Sequence, residues 1–155
     1  MTMLDDRQIC TFTLDGHCFG VSVEHVQEVL RYQEMTRVPL APPVVRGLIN
    51  LRGAIVTAID LRRRLGFPER PADDLPMNVV VQTKDGPVSL LVDEIGDVVE
   101  IDDHDFETPP ETLRGSTREL LQGVYKLERG LLLVLDTDKA VDFDPTADSE
   151  TETTR

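Results

Sequence analysis

The sequence predicts a mainly β protein written twice: two small antiparallel barrels related by an internal duplication, with only short helices. The repeat itself is the first observation. "DGHCFGVSVEHVQEV" (Asp15 to Val29) returns as "DGPVSLLVDEIGDVV" (Asp85 to Val99), and "GLINLRGAIVTAIDL" (Gly47 to Leu61) returns as "GVYKLERGLLLVLDT" (Gly123 to Thr137). The two blocks keep their order, and the later turn reads as carrying one inserted residue. The second observation is spacing: short apolar runs are broken by turn signals at the interval of an all-β barrel or sandwich. The third is that no segment carries the period of a long helix.

Each half is expected to contain the same elements in the same order. A strand (Gln8 to Leu14, or Asn78 to Lys84) meets an Asp-Gly hairpin turn and a second strand, Phe19 to Val23 or Val88 to Val92. "EHVQEVLRY" and "DEIGDVVEI" suit either a short helical turn or an irregular strand. Connectors follow, "RVPLAPP" and "FETPPETLRG", whose proline pairs forbid a continuous strand and suggest a short helix entered through proline. Last comes the repeated hairpin. Its second strand is apolar on both faces (Ala54 to Ile59, Leu131 to Leu135), the pattern of a strand covered on both sides. Short helices are expected at "LRRRLG", entered after Asp60 and stopped by Gly66, and at "DKAVDF", entered near Asp136. The first barrel half is bounded at residues 8–72 and the second at 76–143, together one domain, with flexible termini at 1–7 and 144–155.

Composition narrows the function. With 40% apolar and 29% charged residues the chain has the make-up of a folded protein. No apolar run is long enough to span a membrane, and "MTMLDDRQIC" lacks the basic and apolar regions of a signal peptide. Two cysteines, not opposite each other in the predicted hairpin register, fit a reducing cytoplasm without a disulfide. A net charge of -13 argues against nucleic acid and anionic membranes. The charge is uneven. Asp93 to Glu111 holds nine acidic residues and no Lys or Arg, whereas Arg46 to Arg70 holds six arginines against Asp60 and Glu69. Either these are solvated faces, or the molecule has a basic side and an acidic side suited to partners of opposite sign.

Catalytic signals are missing. Asp102 to Asp105 lacks the glycine and distal Glu of a calcium loop and reads as an acidic turn. Asp136 and Asp138 form a D-x-D, but Asp136 matches Asp60 in the repeat and both read as helix caps. None of the three histidines lies in a recognisable nucleophilic setting. No enzyme, cofactor or metal is expected.

"P-x-x-x-P-x-x-x-G-L-I-N-L-R-G-x-I-x-x-x-I-D-L" (Pro39 to Leu61) resembles the signature of CheW, the bacterial chemotaxis coupling protein family. "FGVSVEHVQEVLR" and "SLLVDEIGDVVEI" resemble its flanking segments, so the likeness runs from about Gln8 to Phe143. Ser89 departs from the pattern, because the family often has glycine there. The resemblance implies two intertwined five-stranded SH3-like barrels. It implies a non-catalytic adaptor between the cytoplasmic tip of a methyl-accepting chemoreceptor and the regulatory domain of a CheA-type histidine kinase, recruited to receptor arrays at the inner face of the membrane. It also implies a receptor-binding groove at Val26, Glu28, Val29, Gly47, Arg52, Ile95 and Val98, and leaves the kinase-contact residues unassigned. A receptor helix would lay an apolar stripe on Val26, Val29, Ile95 and Val98, at least one of which is expected to be fully buried. Arg52 would clamp a carboxylate or backbone carbonyls at the rim; without the resemblance it would read as an arginine that only solubilises a turn. The alternatives are a CheW-like scaffold of a pilus, surface-sensing or second-messenger array, and the regulatory domain of a CheA-type kinase. A chain opening at Met1 with no kinase or phosphotransfer segment is expected not to be the latter.

Overall fold

The computed structural model describes residues 8–113 and 115–142. The termini expected to fray lie outside these residues. Two hairpins and a lone strand open the first half: β1 (Gln8–Leu14), β2 (His17–Ser22), β3 (Val26–Leu30), β4 (Val45–Leu51) and β5 (Ala54–Asp60), followed by helix α1 (Leu61–Leu65). The second half repeats the order with β6 (Met77–Thr83), β7 (Gly86–Val92) and β8 (Glu94–Glu100). It then inserts a two-residue strand β9 (Phe106–Glu107) and helix α2 (Gly115–Glu119) before β10 (Leu121–Leu127), β11 (Gly130–Leu135) and helix α3 (Thr137–Val141).

The two sheets run β8-β1-β2-β11-β10-β9 and β3-β6-β7-β5-β4. Each therefore draws strands from both halves: β8 of the second half pairs with β1 of the first, and β3 of the first pairs with β6 of the second. This strand exchange makes the barrels intertwined. It also gives each sheet one parallel pair, β5 with β7 and β11 with β2, where wholly antiparallel barrels were expected. The parallel contacts arise because the repeated hairpin docks onto the other half's hairpin instead of its own.

The ambiguous segments resolve as strands. Only Val23–His25 forms a single 3-10 turn, capped by the Ser22 hydroxyl, which accepts from the Glu24 amide. The first connector contains no helix, and in the second α2 starts five residues after Pro110. In each case the prolines sit in turns: Val45 N–H donates to Pro42 and Leu113 N–H donates to Pro110. The expected insertion in the later hairpin is absent. Leu51 pairs with Ala54 and Leu127 with Gly130, so both loops hold two residues. What differs is the glycine, which closes the first loop as Gly53 but follows the second as Gly130.

Burial of the hairpin's second strand also differs from expectation. Val56, Ala58 and Ile59 are buried, but Ile55 is 61% exposed, and Leu131 is exposed beside buried Leu132 to Leu135. The register explains this. β5 contacts β7 only from Thr57 onward and β11 contacts β2 only from Leu132, so the turn-proximal ends have one neighbour. One core spans both halves, with Phe12, Phe19, Leu61, Leu90, Val124 and Leu135 in a single cluster. Cys10 faces Val21 and Cys18 faces Thr13, as the predicted register requires, and both are free thiols. Ser89 is fully buried, and its hydroxyl donates to Asn78 Oδ1 at 2.7 Å. The structure sets the first block of the repeat one residue off its sequence match, with Lys84 and Asp85 forming the turn that Asp15 and Gly16 form in the first half. The counterpart of Ser89 is therefore Gly20, which has no such room: a Cβ there would lie 2.4 Å from Ile9 Cγ2.

Candidate functional site

Val26, Glu28 and Val29 lie on β3, and Ile95 and Val98 on β8. β3 and β8 occupy the same place in the two halves, and each is the outer strand of its sheet. Val26 and Ile95 are half-buried against the common core, whereas Val29 is 43% and Val98 57% exposed. None of the four is fully buried, contrary to expectation. An edge strand is covered on one face only, and a register shift in both the β3–β6 and β1–β8 pairings turns the neighbouring side chains outward. The result is two equivalent edge strands, each presenting one anchored and one free apolar side chain.

Arg52 reaches one of them. Arg52 and Gly53 form the β4–β5 turn with φ of 53° and 90°, the signs of a type I′ turn, and the Gly53 amide donates to Asn50 Oδ1 at 2.9 Å. From this turn the Arg52 guanidinium donates to Glu28 on β3. β3 and β4 are the two outer strands of their sheet, so this ion pair ties the edges together where the sheet curls closed. Arg52 is 71% exposed against 22% for Glu28, so its guanidinium remains open to a partner while Glu28 fixes its direction. Gly47 has a different place. It is buried beneath the connector, where a Cβ would lie 2.7 Å from the Thr36 carbonyl oxygen, so it holds the backbone approach of Met35 and Thr36. Thr36 and Leu48 exchange both backbone hydrogen bonds at 2.8 Å across this contact.

The charge asymmetry is half real. Glu94, Asp97, Glu100 and Glu111 are exposed, and among the described residues they pair with no Lys or Arg, so β8 leads into an acidic face. Asp102 accepts from the His104 amide and contacts its ring, which holds the His104 imidazolium above its ordinary range. The arginines form no matching basic face, because their charge is satisfied within the molecule. The side chains of Arg62 and Arg70 are largely buried and both bind Asp93, at 2.6 and 2.7 Å. Arg46 pairs with Asp60, Arg63 with Glu69, and Arg64 donates to the Ala140 carbonyl at the end of α3. Burial alone would raise the Asp93 carboxyl, but bonds from Arg62, the Asp15 amide and Arg70 outweigh it and hold the group at about 2. Sequence reasoning missed this cluster, since Arg62, Arg70 and Asp93 come together only through the exchange of strands.

No group of three or more His, Cys, Asp or Glu among the described residues could hold a metal ion. Burial pushes both thiols up, with Arg129 partly offsetting this for Cys18, and leaves them poor nucleophiles. No helix among the described residues is long and apolar enough to cross a membrane.

A CheW-like domain model matches residues 8–144. The chain is 32% identical to the chemotaxis protein CheW of Bacillus subtilis over 136 residues, covering 88% of this chain and 87% of that one. It is 29% identical to CheW of Treponema pallidum, with 90% and 85% covered, and 27% identical to Protein PilI of Pseudomonas aeruginosa, with 79% and 68% covered. Its fold is similar to the crystal structure of the scaffolding protein TtCheW from Thermoanaerobacter tengcongensis, with a TM-score of 0.78, 26% identity and 90% of each chain covered. With a matching domain over nearly all of its length and the same duplicated barrels, the chain belongs to the CheW family of chemotaxis adaptors.

Proposed function

We propose that this protein is a non-catalytic adaptor that couples the cytoplasmic tips of chemoreceptors to a CheA-type histidine kinase at the inner face of the membrane. The observation that carries the reading is the Arg52–Glu28 pair set between the half-buried Val26 and the exposed Val29 of an edge strand. A helical receptor tip would pack an apolar stripe onto Val26 and Val29, and onto their counterparts Ile95 and Val98, while Arg52 takes a carboxylate or carbonyl at the rim. The acidic edge of β8 favours a partner helix with basic residues on that flank. The likeness to Protein PilI favours one second reading, a scaffold of the same kind in a non-flagellar array. Calorimetry of the chain with a receptor-tip fragment and with a kinase regulatory domain, both from the same organism, tests the proposal. Micromolar binding to both is expected, and binding to neither would refute it.

A further inference from the structure

The connector between β3 and β4 contains a residue that the fold does not explain. Leu40 is fully exposed and its φ is +68°, a left-handed conformation that a branched side chain rarely adopts. The Ala41 amide donates to the Val38 carbonyl at 3.3 Å, closing a turn with Pro39 in its second position and Leu40 in its third. Proline followed by positive φ is the type II arrangement, whose third position calls for glycine or asparagine. A leucine there gains nothing from burial and strains the backbone. The neighbourhood is rigid as well. Val45 N–H donates to Pro42 in a second turn, buried Val44 packs on the core, and the Thr36–Leu48 bridge holds the connector from the other side. An apolar side chain is thus held outward on a hydrogen-bonded turn, three residues after an exposed Arg37 that has no carboxylate partner among the described residues.

We propose that Leu40 is a preformed anchor that inserts into an apolar, acid-rimmed pocket on the kinase regulatory domain, with Arg37 meeting the rim. The proposal rests on the adaptor reading above and supplies a second contact point to it. Its position separates it from the receptor-facing residues. Val44, four residues after Leu40, accepts from the Asp60 amide at the end of the β4–β5 hairpin away from the Arg52 turn, and β4 between them spans roughly 20 Å at about 3.3 Å per residue. The connector that carries Leu40 therefore joins the hairpin at the end opposite Arg52. Rigid display lowers the ordering cost of binding, which gives the strain a use.

Leu40→Asn tests this, because asparagine accepts the left-handed conformation and removes the anchor. The expected result is binding to the kinase regulatory domain at least tenfold weaker, unchanged binding to the receptor-tip fragment, and a Tm raised by about 2 °C as strain is relieved. Leu40→Gly, with the same conformational freedom, should repeat the binding loss. Unchanged kinase affinity in both variants would overturn the anchor while leaving the adaptor reading intact. Equal loss toward both partners would overturn it too, since the contact would not be local. If Leu40→Asn instead abolishes self-association of the protein alone in sedimentation, the pocket belongs to a second copy and the kinase assignment falls. If the unsubstituted chain binds neither partner, the adaptor reading fails first and the anchor with it.

Discussion

Arg52 shows why residue identity matters at a turn. The type I′ geometry would accept Asn or Asp at φ of 53° more readily than Arg, so the guanidinium is there for its chemistry. The repeat supports this, because the equivalent turn carries Glu128 and Arg129 with the positive φ moved onto Gly130. Arg52→Glu would place a second carboxylate against Glu28. Arg52 itself faces solvent and an introduced carboxylate can turn away from Glu28, so the expected stability loss is under about 1 kcal/mol. Binding to the receptor-tip fragment should fall at least tenfold while kinase affinity holds. The charge swap Glu28→Arg with Arg52→Glu separates the two roles. It should restore the melting temperature without restoring receptor affinity, and a swap that recovers both would show that Arg52 serves only to close the barrel. The leucine at position 40 is legible in the same terms. "VPLA" puts proline where a type II turn wants it and leucine where that turn wants glycine, a mismatch written in four consecutive residues.

At the scale of elements, the sequence is most explicit where one residue both ends a strand and begins a helix. Asp60 and Asp136 were readable as caps from the repeat, and each accepts from the amide three residues on, Arg63 and Lys139. Their surroundings were not readable, because they depend on which strands adjoin. Asp136 stands at a half-buried position, whereas Asp60 is buried and also accepts from Arg46, with the Arg70 guanidinium 3.9 Å away. Replacing Asp136 by Ala should therefore cost about 1 kcal/mol, the ordinary loss of a cap. Asp60→Ala should cost more, about 2–3 kcal/mol, since it also takes from the buried Arg70 guanidinium one of its two neighbouring carboxylates and from Arg46 its partner. Urea unfolding of the two variants checks the ordering, and equal losses would mean that Arg46 and Arg70 contribute nothing through Asp60. Gly47 is an element-scale residue of a different kind. It was placed with the binding surface by resemblance, but its backbone contact with Thr36 makes it the seat of the connector. Gly47→Ala should destabilise the fold by about 1–3 kcal/mol through overpacking, read as a lowered urea midpoint.

The duplication was legible across the whole molecule, but the exchange of strands between its halves was not. Antiparallel hairpins are local and announce themselves through turn chemistry. The β5–β7 and β11–β2 pairings join segments distant in sequence and leave no periodic trace. The same exchange builds the Asp93 cluster. In the second half the Lys84 amide, at the β6–β7 turn, is capped by Asp138 on α3 at 3.1 Å. In the first half the matching Asp15 amide needs the same cap, but the residue on α1 equivalent to Asp138 is Arg62, which cannot accept it. Asp93, at the β7–β8 junction of the other half, supplies the carboxylate instead, accepting from Asp15 at 2.8 Å and from Arg62 and Arg70. One carboxylate therefore binds a first-half turn, a first-half helix and the segment after that helix to the β7–β8 junction of the second half. Arg70 depends on it, since its side chain is 4% exposed and its Nε and Nη1 have no acceptor among the described residues. Asp93→Ala should destabilise by about 3–5 kcal/mol, the cost of breaking a buried ion pair, against about 1 kcal/mol for Asp138→Ala. The contribution also carries a pH signature. Because the folded carboxyl sits at about 2, below its ordinary 3.8, the stabilisation is complete above pH 3.8 and is lost as the pH falls through about 2. It amounts to about 2 kcal/mol. The gap in unfolding free energy between the native chain and Asp93→Asn should accordingly be constant from neutral pH to about 4 and narrow between pH 4 and 2. A gap that stays the same down to pH 2 would show that the cluster holds the halves together by shape and not by the charge of Asp93.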